Sequence, residues 1–282
     1  MTEIPFAKFH GLANDFVVVE SPGLPDTLSQ LARAICDRNT GVGADGLLVV
    51  TLLKNQRRQA RVRFFNADGS EAEMSGNGIR CAAAYLAGGS RTPRQLRLET
   101  KAGLKNVHVL SAGKGKWVFR VSMGRPILAP RKIPFRGQLS GPVVGFPLAT
   151  HRGVIPVTVT SMGNPHCSVV VADFATIDWA RLGREIENNA LFPNRTNVEF
   201  VKVLSRAAIE VRFWERGVGE TMSSGTGSCA AVVACILNRL TARKVSVQTP
   251  GGQLEVSWPA GGEVTLTGPA VKIAEGVYSH QP

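Results

Sequence analysis

The sequence predicts an α+β fold made of two domains of one design. Three observations predict it. The chain has 282 residues, which is long for a single average domain. Strand-like and helix-like segments occur along its whole length, and one block of sequence occurs twice. The apolar content of 44% is ordinary for a soluble protein with a substantial core.

The predicted strands are short runs that either alternate apolar and polar residues or are rich in β-branched residues. Turns containing Gly, Asn and Pro separate these runs, as expected between strands. The clearest runs are DFVVVE (15–20), LLVV (47–50), ARVRFF (60–65), NVHVL (106–110) and KWVFRVSM (116–123).

Four helices are predicted. Apolar residues recur with helical spacing in SQLARAICDR (29–38) and DWARLGREIEN (178–188). The other two helices begin where small residues follow a Ser-Gly-x-Gly sequence, in IRCAAAYLAGG (79–89) and SCAAVVACILNRL (228–240).

The repeated block is the strongest indication of two similar domains, because an internal repeat determines the architecture of a chain. VRFFNADGSEAEMSGNG (62–78) aligns without a gap with VRFWERGVGETMSSGTG (211–227), and seven of the seventeen positions are identical. The same offset of 149 residues aligns RLETKAG (97–103) with SVQTPGG (246–252). An offset one residue longer aligns Asn14 with Asn164. Coincidence is a poor explanation of so many matches at nearly one offset.

The boundary between the domains is expected near the proline-rich segment GRPILAPRKIPFRGQLSGP (124–142). We therefore assign residues 1–124 to an N-terminal half and residues 125–269 to a C-terminal half. The C-terminal segment, residues 270–282, is expected to complete the first half.

Each copy of the repeat places a serine, Ser75 or Ser224, directly before a Gly-x-Gly turn and a helix. A helix N-terminus offers unpaired N–H groups and a partial positive charge, so it binds anions well. Related by a pseudo-twofold axis, the two helix starts are expected to face each other across a cleft and to hold one carboxylate.

If that carboxylate belongs to an amino acid, Ser75 and Ser224 flank its α-carbon on opposite faces. One residue then removes the α-proton and the other returns a proton, which inverts the centre. The helix ends stabilise the negative charge that develops. Cysteine suits this task, since thiol pKa values fall from about 8.5 to roughly 3.5–7.5 at helix N-termini. Serine suits it poorly.

Composition argues against other classes of protein. The net charge is +12, but NQRRQARVR (55–63) is the one dense basic run and no nucleic-acid-binding motif is present, so no nucleic-acid partner is expected. The sequence contains neither a signal-peptide pattern nor the roughly 18–20 apolar residues of a membrane span, so we expect a cytoplasmic protein without a membrane partner. No nucleotide-binding GxxxxGK[ST] loop occurs. Without metal-ligand spacing, five cysteines are expected to be buried thiols: Cys36, Cys81, Cys167, Cys229 and Cys235.

The sequence resembles the diaminopimelate epimerase family of bacterial lysine and cell-wall synthesis over nearly its whole length. The matching motifs are, in order, KFHGLANDFVVVE, DRNTGVGADGLLVV, FFNADGSEAEMSGNGIRC, SMGNPHC, RTNVEF, WERGVGETMSSGTGSCAA, PGGQLEV and TGPAVKI. The resemblance implies two similar halves, each a mixed sheet or barrel around a central helix, with the active site in the cleft between them. It also implies interconversion of LL- and meso-diaminopimelate by two-base proton transfer, without a cofactor or a metal.

The resemblance assigns roles to individual residues. The two family bases, both cysteines, fall on Ser75 and Ser224, while His166 and Glu215 support them. The residues implied in substrate binding are Asn14, Asn66, Gly76, Asn77, Asn164, Asn197, Arg216, Gly225 and Thr226. A homodimer is expected, although the chain has Ala274 where some members have a dimer-contact tyrosine.

Most of these side-chain roles have a structural alternative. Ser75 and Ser224 are also typical N-cap residues, and asparagine is favoured in turns. The alternatives are N-caps at Ser75 and Ser224, turn positions at Asn66 and Asn164, a structural histidine at His166 and a simple ion pair between Glu215 and Arg216.

The serines leave three hypotheses about activity. The first is a diaminopimelate epimerase with both cysteines replaced, which binds substrate and turns over slowly or not at all. The second is an epimerase or dehydratase for another amino acid, as in relatives with Ser or Thr at one base position. The third is an amino-acid-binding or regulatory protein on an inactive scaffold. A serine hydrolase is not expected, because the G-x-S-x-G elbow is absent.

Overall fold

The computed structural model describes residues 2–53, 56–88, 93–137 and 140–280, with the side chains of residues 56 and 57 left out. The chain divides into two compact units. The first unit comprises Met1–Ser122 and Thr267–Pro282, and the second comprises Met123–Leu266.

The first part of the chain forms eight strands and two helices. They are β1 (Thr2–Gly11), β2 (Asn14–Glu20), α1 (Leu28–Cys36), β3 (Gly46–Leu53), β4 (Gln56–Asn66), β5 (Glu71–Ala72), α2 (Gly76–Ala87), β6 (Gln95–Thr100), β7 (Gly103–Gly113) and β8 (Lys116–Gly124).

After one additional strand, β9, the rest of the chain repeats this order of elements. They are β9 (Val143–Thr150), β10 (Gly153–Ser161), β11 (Pro165–Val170), α3 (Trp179–Glu187), β12 (Asn197–Ser205), β13 (Ala208–Glu215), β14 (Gly219–Thr221), α4 (Gly225–Leu237), β15 (Lys244–Thr249), β16 (Gly252–Ser257) and β17 (Val264–His280). Two short 3-10 helices cover Pro130–Lys132 and Phe174–Thr176.

The strands of the first unit close into an eight-stranded barrel. Hydrogen-bonded neighbours follow the order β17, β1, β2, β3, β4, β6, β7, β8 and back to β17. The β2–β3 and β4–β6 pairs are parallel, and each parallel pair is connected through a helix, α1 or α2. Such a crossover is what a parallel pair requires.

The two faces of these strands pack against different helices. Val17 and Val19 of β2 and Leu47 of β3 form one core cluster with Leu31 and Ile35 of α1. The alternate strand residues point the other way, towards α2, which is buried over almost its whole surface. The small side chains of α2 explain this position, because they let the surrounding strands approach its backbone closely.

The second unit repeats the pairing of the first. Its strands follow the order β9, β10, β11, β12, β13, β15, β16, and the β11–β12 and β13–β15 pairs are parallel. Helix α3 packs on one strand face through Leu182 and Ile186, against Cys167, Val198 and Phe200. Helix α4 is buried and packs against β10–β13, β15 and β16.

The predicted fold class and the repeat are therefore confirmed. All five predicted strands and all four predicted helices are present, the elements being β2, β3, β4, β7 and β8 and α1 to α4. The proline-rich segment belongs to the second unit, where Ile133 and Phe135 join the core and Ile127 forms an isolated bridge with Ser161. Within the described ranges, no helix is long and apolar enough to cross a membrane.

Candidate functional site

The first helix start, residues 75–78, lies at the N-terminus of α2. Ser75 is the N-cap, with extended backbone (φ −123°, ψ 129°), and its hydroxyl accepts a hydrogen bond from the Gly78 N–H at 3.1 Å. A Cβ at Gly78 would lie 3.0 Å from the ring of Phe64, which favours glycine there. Because first-turn N–H groups lack an acceptor within their helix, such a start can bind an anion.

A buried arginine supports the first helix start. Arg80 is 0% exposed and donates hydrogen bonds to the Gly76 carbonyl at 2.8 Å, to Asn77 Oδ1 at 2.8 Å and to the Pro269 carbonyl at 3.0 Å. Its positive charge adds to that of the helix N-terminus. Sequence reasoning missed Arg80, although a charged residue among the small residues of a buried helix was a usable signal.

Asn14 reaches the same place from the turn between β1 and β2. Leu12 (φ 60°) and Ala13 (φ 63°) hold left-handed backbone in that turn, a conformation that non-glycine residues rarely adopt. Asn14 Oδ1 accepts a hydrogen bond from Asn77 Nδ2 at 3.1 Å, and Asn14 Nδ2 donates to Asp45 Oδ2 at 2.8 Å. The predicted residues Asn14 and Asn77 therefore lie together at the first helix start.

An ion-pair network anchors the strand ends that bear Asn14 and Asp45. Asp15 lies 2.9 Å from Lys8 and 2.9 Å from Arg38, and Arg38 lies 2.8 Å from Asp45. Burial raises the pKa of Asp15, but hydrogen bonds and charges from Lys8 and Arg38 outweigh it and hold the pKa below its usual value. Asp15 is therefore ionised near neutral pH.

Asn66 ends β4 at the surface of the first unit. Its side-chain amide donates to Ser70 Oγ at 2.9 Å, and its N–H donates to the Ser70 carbonyl at 2.9 Å. The next residue, Ala67, donates its N–H to the Asp45 carbonyl. Asn66 thus has the turn position that was its structural alternative, and it lies beside the Asp45 loop. Its part in substrate binding stays a prediction.

The second helix start, residues 224–227, has the same cap and different surroundings. Ser224 is an N-cap with φ −126° and ψ 125°, and its hydroxyl accepts a hydrogen bond from the Gly227 N–H at 3.2 Å. The same hydroxyl donates to Glu215 Oε2 at 3.0 Å, while Thr221 donates to Glu215 Oε1 at 2.7 Å. Both carboxylate oxygens of Glu215 are therefore oriented, one of them towards the predicted base position.

Glu215 is a carboxyl group in a poorly solvated place at the end of β13. Burial raises its pKa, against the hydrogen bonds from Thr221 and Ser224 and the charge of His166, which lower it. The net direction is upward, so Glu215 is a stronger base than an ordinary glutamate. The ion pair with Arg216, proposed as an alternative, is not observed among the described residues, where Arg216 donates to the Asn194 carbonyl at 3.2 Å.

A buried histidine and carboxylate lie beneath the second helix start. His166 Nδ1 is 2.6 Å from Glu199 Oε1, and His166 Nε2 is 2.9 Å from Asn164 Oδ1. Ser168 donates to the other Glu199 oxygen at 3.1 Å. A Cβ at Gly227 would lie 3.1 Å from Glu199 Oε1, so the carboxylate is close to the helix backbone.

Sequence reasoning found His166 and Asn164 but missed Glu199. The available signal was a charged residue alternating with apolar ones in the buried strand segment NVEF (197–200). The structural alternative for His166 is present too, because the ring is fully buried and hydrogen bonded.

Asn197 and Arg216 lie together at the ends of β12 and β13. Asn197 Nδ2 donates to the Pro165 carbonyl at 2.9 Å, and Asn197 Oδ1 accepts from the Arg216 N–H at 3.0 Å. These bonds fix the Asn197 amide and the Arg216 backbone, while the Arg216 side chain remains exposed. An exposed guanidinium at this edge is available to pair with a carboxylate.

The cysteines offer no replacement base. All five are buried, as predicted. Burial raises the pKa of Cys81, which is in α2, to about 12, so its thiolate is not populated near neutral pH. The groups at the two predicted base positions are therefore the serine hydroxyls.

Comparison with known proteins decides the family. The family model described as diaminopimelate epimerase matches residues 6–129 and 158–273. The protein called diaminopimelate epimerase from Desulforudis audaxviator (strain MP104C) is 49% identical over 277 residues, covering 97% of this chain and 98% of that protein. The chain belongs to the diaminopimelate epimerase family. A second protein of that name, from Pelotomaculum thermopropionicum, is 45% identical over 98% of this chain and 99% of its own length.

Solved structures of lower identity share the fold of this diaminopimelate epimerase family member. The PhzF-family phenazine biosynthesis protein of Bacillus anthracis has a TM-score of 0.70 at 16% identity, covering 98% of this chain and 99% of that protein. A hydroxyproline epimerase from Agrobacterium vitis, solved with trans-4-hydroxy-L-proline, also has a TM-score of 0.70 at 16% identity, covering 98% and 91%. At these identities the likeness concerns the fold alone.

Proposed function

We propose that this chain is an isomerase of the epimerase type that binds diaminopimelate and uses positions 75 and 224 for proton transfer at the α-carbon. The support is its family membership together with two intact helix starts, each with a hydroxyl cap beside first-turn N–H groups. In the proposal, the N–H groups near Gly76, Asn77, Gly225 and Thr226 hold the reacting carboxylate.

The remaining substrate contacts follow from the side chains at the two helix starts. Arg216 has an exposed guanidinium, which suits the distal carboxylate of diaminopimelate. The asparagines supply amide donors and acceptors for the distal amine and carboxylate. In the proposal, the binding amides are Asn14, Asn66, Asn164 and Asn197.

Serine at both base positions limits the expected turnover. A serine hydroxyl remains protonated near neutral pH. A cysteine thiol has an ordinary pKa of about 8.5, and a helix N-terminus lowers this pKa, so the thiol ionises readily there. We therefore expect substrate binding of ordinary strength and slow interconversion of LL- and meso-diaminopimelate. No cofactor is required by this proposal.

Calorimetry with LL-diaminopimelate tests binding, and chiral chromatography of the same samples tests interconversion. Saturable binding with slow interconversion supports the proposal. The matched ligand control is lysine, which lacks the distal carboxylate, and the matched variant is Arg216→Gln. Lysine should bind the wild-type protein about 10-fold to 100-fold more weakly than LL-diaminopimelate does, and Arg216→Gln should weaken the binding of LL-diaminopimelate by a similar factor. This is the effect of losing a hydrogen bond between charged groups. Absence of saturable binding, or turnover that equals that of a cysteine-containing relative, contradicts it.

We also propose a cytoplasmic homodimer. The location stays a proposal, and cell fractionation tests it. The dimer has support in the exposed apolar side chains of β7 and β17, namely Leu104, Leu110, Ile273 and Val277. Analytical ultracentrifugation of the 30.1 kDa chain distinguishes a dimer from a monomer.

A further inference from the structure

We propose that Glu187, a buried carboxylate at the end of α3, is a positioning residue for recognition of the distal carboxylate of the substrate. It acts by holding the turn that bears Arg216, and it thereby sets how strongly the protein prefers diaminopimelate to an amino acid without that carboxylate. The inference rests on the proposed function, in which Arg216 pairs with the distal carboxylate. Glu187 itself touches no substrate.

Glu187 lies where a helix disfavours an anion. It is the last residue of α3 (Trp179–Glu187), and the C-terminus of a helix has a partial negative charge. The residue is also only 5% exposed, so its carboxylate is largely removed from water. A carboxylate in such a place needs hydrogen-bond donors around it. The origin of those donors shows which part of the unit the carboxylate holds.

Three donors from two other segments of the second unit meet the two oxygens of this carboxylate. Oε1 accepts hydrogen bonds from the Gly217 N–H at 2.8 Å and from Arg195 Nη1 at 3.2 Å. Oε2 accepts from the indole Nε1 of Trp214 at 2.8 Å. Both oxygens therefore face N–H donors. A glutamine has a single oxygen, so its NH₂ group would face a donor in either orientation.

The bond from Gly217 links Glu187 to the predicted substrate residue. Gly217 follows Arg216 in the turn between β13 and β14, and its backbone is left-handed (φ 76°). A glycine can adopt many other conformations, so the bond from its N–H to Glu187 helps to select this one. Trp214, two residues before Arg216, anchors the other side of the turn to the same carboxylate.

The bond from Arg195 links Glu187 to the segment that contacts the Arg216 side chain. Arg216 Nη1 donates to the carbonyl of Asn194, the residue before Arg195, at 3.2 Å. Arg195 has left-handed backbone (φ 57°), which non-glycine residues rarely adopt. Glu187 therefore holds both the turn that bears Arg216 and the segment to which its guanidinium bonds.

Preorganisation is the physical reason why these contacts should affect binding. An arginine side chain loses rotamer freedom when it pairs with a ligand, and a backbone held in place before binding reduces the cost of ordering the site. Removal of the Glu187 carboxylate leaves the Arg216 guanidinium present but less well placed. The loss should therefore concern ligands with a distal carboxylate and leave other ligands unaffected.

A double-mutant cycle on the binding of LL-diaminopimelate tests the inference. Calorimetry measures the dissociation constants of the wild type, Glu187→Gln, Arg216→Gln and the double variant. Glu187→Gln should weaken binding by about 10-fold, the lower end of the effect of losing a hydrogen bond between charged groups. Because Glu187 acts through Arg216, the double variant should bind within about twofold of Arg216→Gln alone, the usual scatter of such cycles.

Lysine is the second ligand, because it lacks the distal carboxylate. Its binding to Glu187→Gln should stay within about twofold of its binding to the wild type. Glu187→Asp keeps the charge and shortens the side chain, so it should also weaken the binding of LL-diaminopimelate and not that of lysine. It decides the question if Glu187→Gln does not fold.

The matched control is Glu185→Gln, on the same helix. Glu185 accepts a hydrogen bond from the His151 N–H at 2.8 Å, so it anchors α3 to the turn between β9 and β10. The Glu185→Gln variant should bind LL-diaminopimelate as the wild type does.

Each other outcome overturns the inference. Equal weakening of both ligands in Glu187→Gln gives the residue a structural role only, and undiminished binding of LL-diaminopimelate gives it no role in recognition. A double variant whose loss is the product of the two single losses shows that Glu187 does not act through Arg216. All three leave the proposed binding function intact. Absence of saturable binding to the wild-type protein overturns both, so the two failures are distinguishable.

Discussion

The two helix starts have the same backbone and different chemistry. Ser75 and Ser224 cap their helices with nearly equal dihedral angles and the same hydrogen bond to the third residue of the helix. Around Ser224 are the carboxylates of Glu215 and Glu199. Around Ser75 is an amide and arginine cluster that includes Asn77 and Arg80.

The difference extends to the strand faces that pack around the two central helices. The β2–β3 pair of the first unit corresponds to the β11–β12 pair of the second. Phe16 pairs with Gly46 in the first, and His166 pairs with Asn197 in the second. His166 therefore occupies the position in the second unit that Phe16 occupies in the first. By the same register Ser168 corresponds to Val18 and Glu199 to Leu48. The repeat therefore preserves the strand pairing and the helix N-caps, which the backbone requires. The side chains that pack beneath each N-cap differ between the two units.

The largest expected effect comes from restoring thiols. The double variant Ser75→Cys/Ser224→Cys should accelerate interconversion of the diastereomers by about 10²-fold to 10⁴-fold, the usual range for a positioned acid or base. Because Ser224 already has a hydrogen-bonded carboxylate partner in Glu215, Ser75→Cys alone should gain more than Ser224→Cys alone. Chiral chromatography of the four proteins measures this, and a larger gain from Ser224→Cys would reverse the comparison.

The buried polar cluster is expected to have the largest effect on folding stability. Glu199→Leu leaves His166 and Ser168 without their carboxylate partner and should cost about 3–5 kcal/mol in the free energy of unfolding. The triple variant His166→Phe/Ser168→Val/Glu199→Leu reproduces the first unit and should lie within about 1–2 kcal/mol of wild type, since buried hydrogen-bonded polar groups can often be replaced together by apolar groups. Urea denaturation followed by circular dichroism measures both. A triple variant as unstable as the single one would show that the two surroundings are not interchangeable.

Transplanting the acceptor sharpens the comparison of the two serines. Asn66→Glu places a carboxylate at the register position of Glu215 and should raise the rate of α-proton exchange in diaminopimelate by about 10-fold to 100-fold, at or below the lower end of the general-base range. Asn66→Gln is the matched control, and it should have no such gain. Proton NMR in deuterated water measures the α-proton exchange rate of both variants. Equal exchange rates in both would show that a carboxylate at the register position of Glu215 does not by itself promote exchange.

The pH dependence of exchange should report on Glu215. Burial raises the pKa of Glu215, as does the charge of Glu199, whereas hydrogen bonds from Thr221 and Ser224 and the charge of His166 lower it. Because the net pKa is raised and Glu215 can accept a proton only in its ionised form, α-proton exchange that depends on Glu215 should fall about tenfold per pH unit below that pKa. The fall should begin above the ordinary glutamate value of 4.5. A rate that stays constant down to that value would exclude Glu215 as the acceptor.

The smallest effect concerns an ion pair that the two units do not share. In the first unit Arg63 and Lys101 hold Glu71 and lower its pKa from 4.5 to about 2. Glu71→Gln should cost about 1 kcal/mol of folding stability near neutral pH, as expected for partly exposed pairs. The contribution is present above pH 4.5 and is lost as pH falls towards about 2.

The matched control for Glu71 is Glu220, its partner in the repeat. In the second unit Arg212 pairs with Glu210, and Glu220 is exposed. Glu220→Gln should therefore leave the urea midpoint unchanged at every pH. An equal loss in both variants would show that the effect does not come from the Arg63 and Lys101 pair.

Much of the fold was predictable, because strand and helix periodicity are local properties of the sequence. The β-branched run in DFVVVE predicted β2, and the repeat predicted that α4 would copy α2. The edge of the repeat was harder to predict. The sequence analysis did not predict strand β9. The proline-rich segment places Ile133 and Phe135 in the core of the second unit. This was not predictable, because apolar side chains in an irregular segment have no periodicity.

The site was predictable in its parts and not in its connections. Ser75 and Ser224 were predicted from the repeat and Glu215 from the family resemblance, but Arg80 and Glu199 were not, because their importance lies in contacts with residues distant in the sequence. The bond from Asn77 to Asn14 spans 63 positions of the chain. No local pattern specifies such a pairing.

The sequence by itself determined the family, the repeat and the hydroxyl at each base position, since these depend only on which residues follow one another. Tertiary structure decided that the Ser224 hydroxyl donates a hydrogen bond to a carboxylate, that of Glu215. Glu215 and Asn66 occupy the same place in the repeat, but the direction of each side chain depends on strand register and on its partners, Thr221 and Ser224 in one unit and Ser70 in the other. Proton transfer requires atoms within hydrogen-bond reach, and only folding sets that distance.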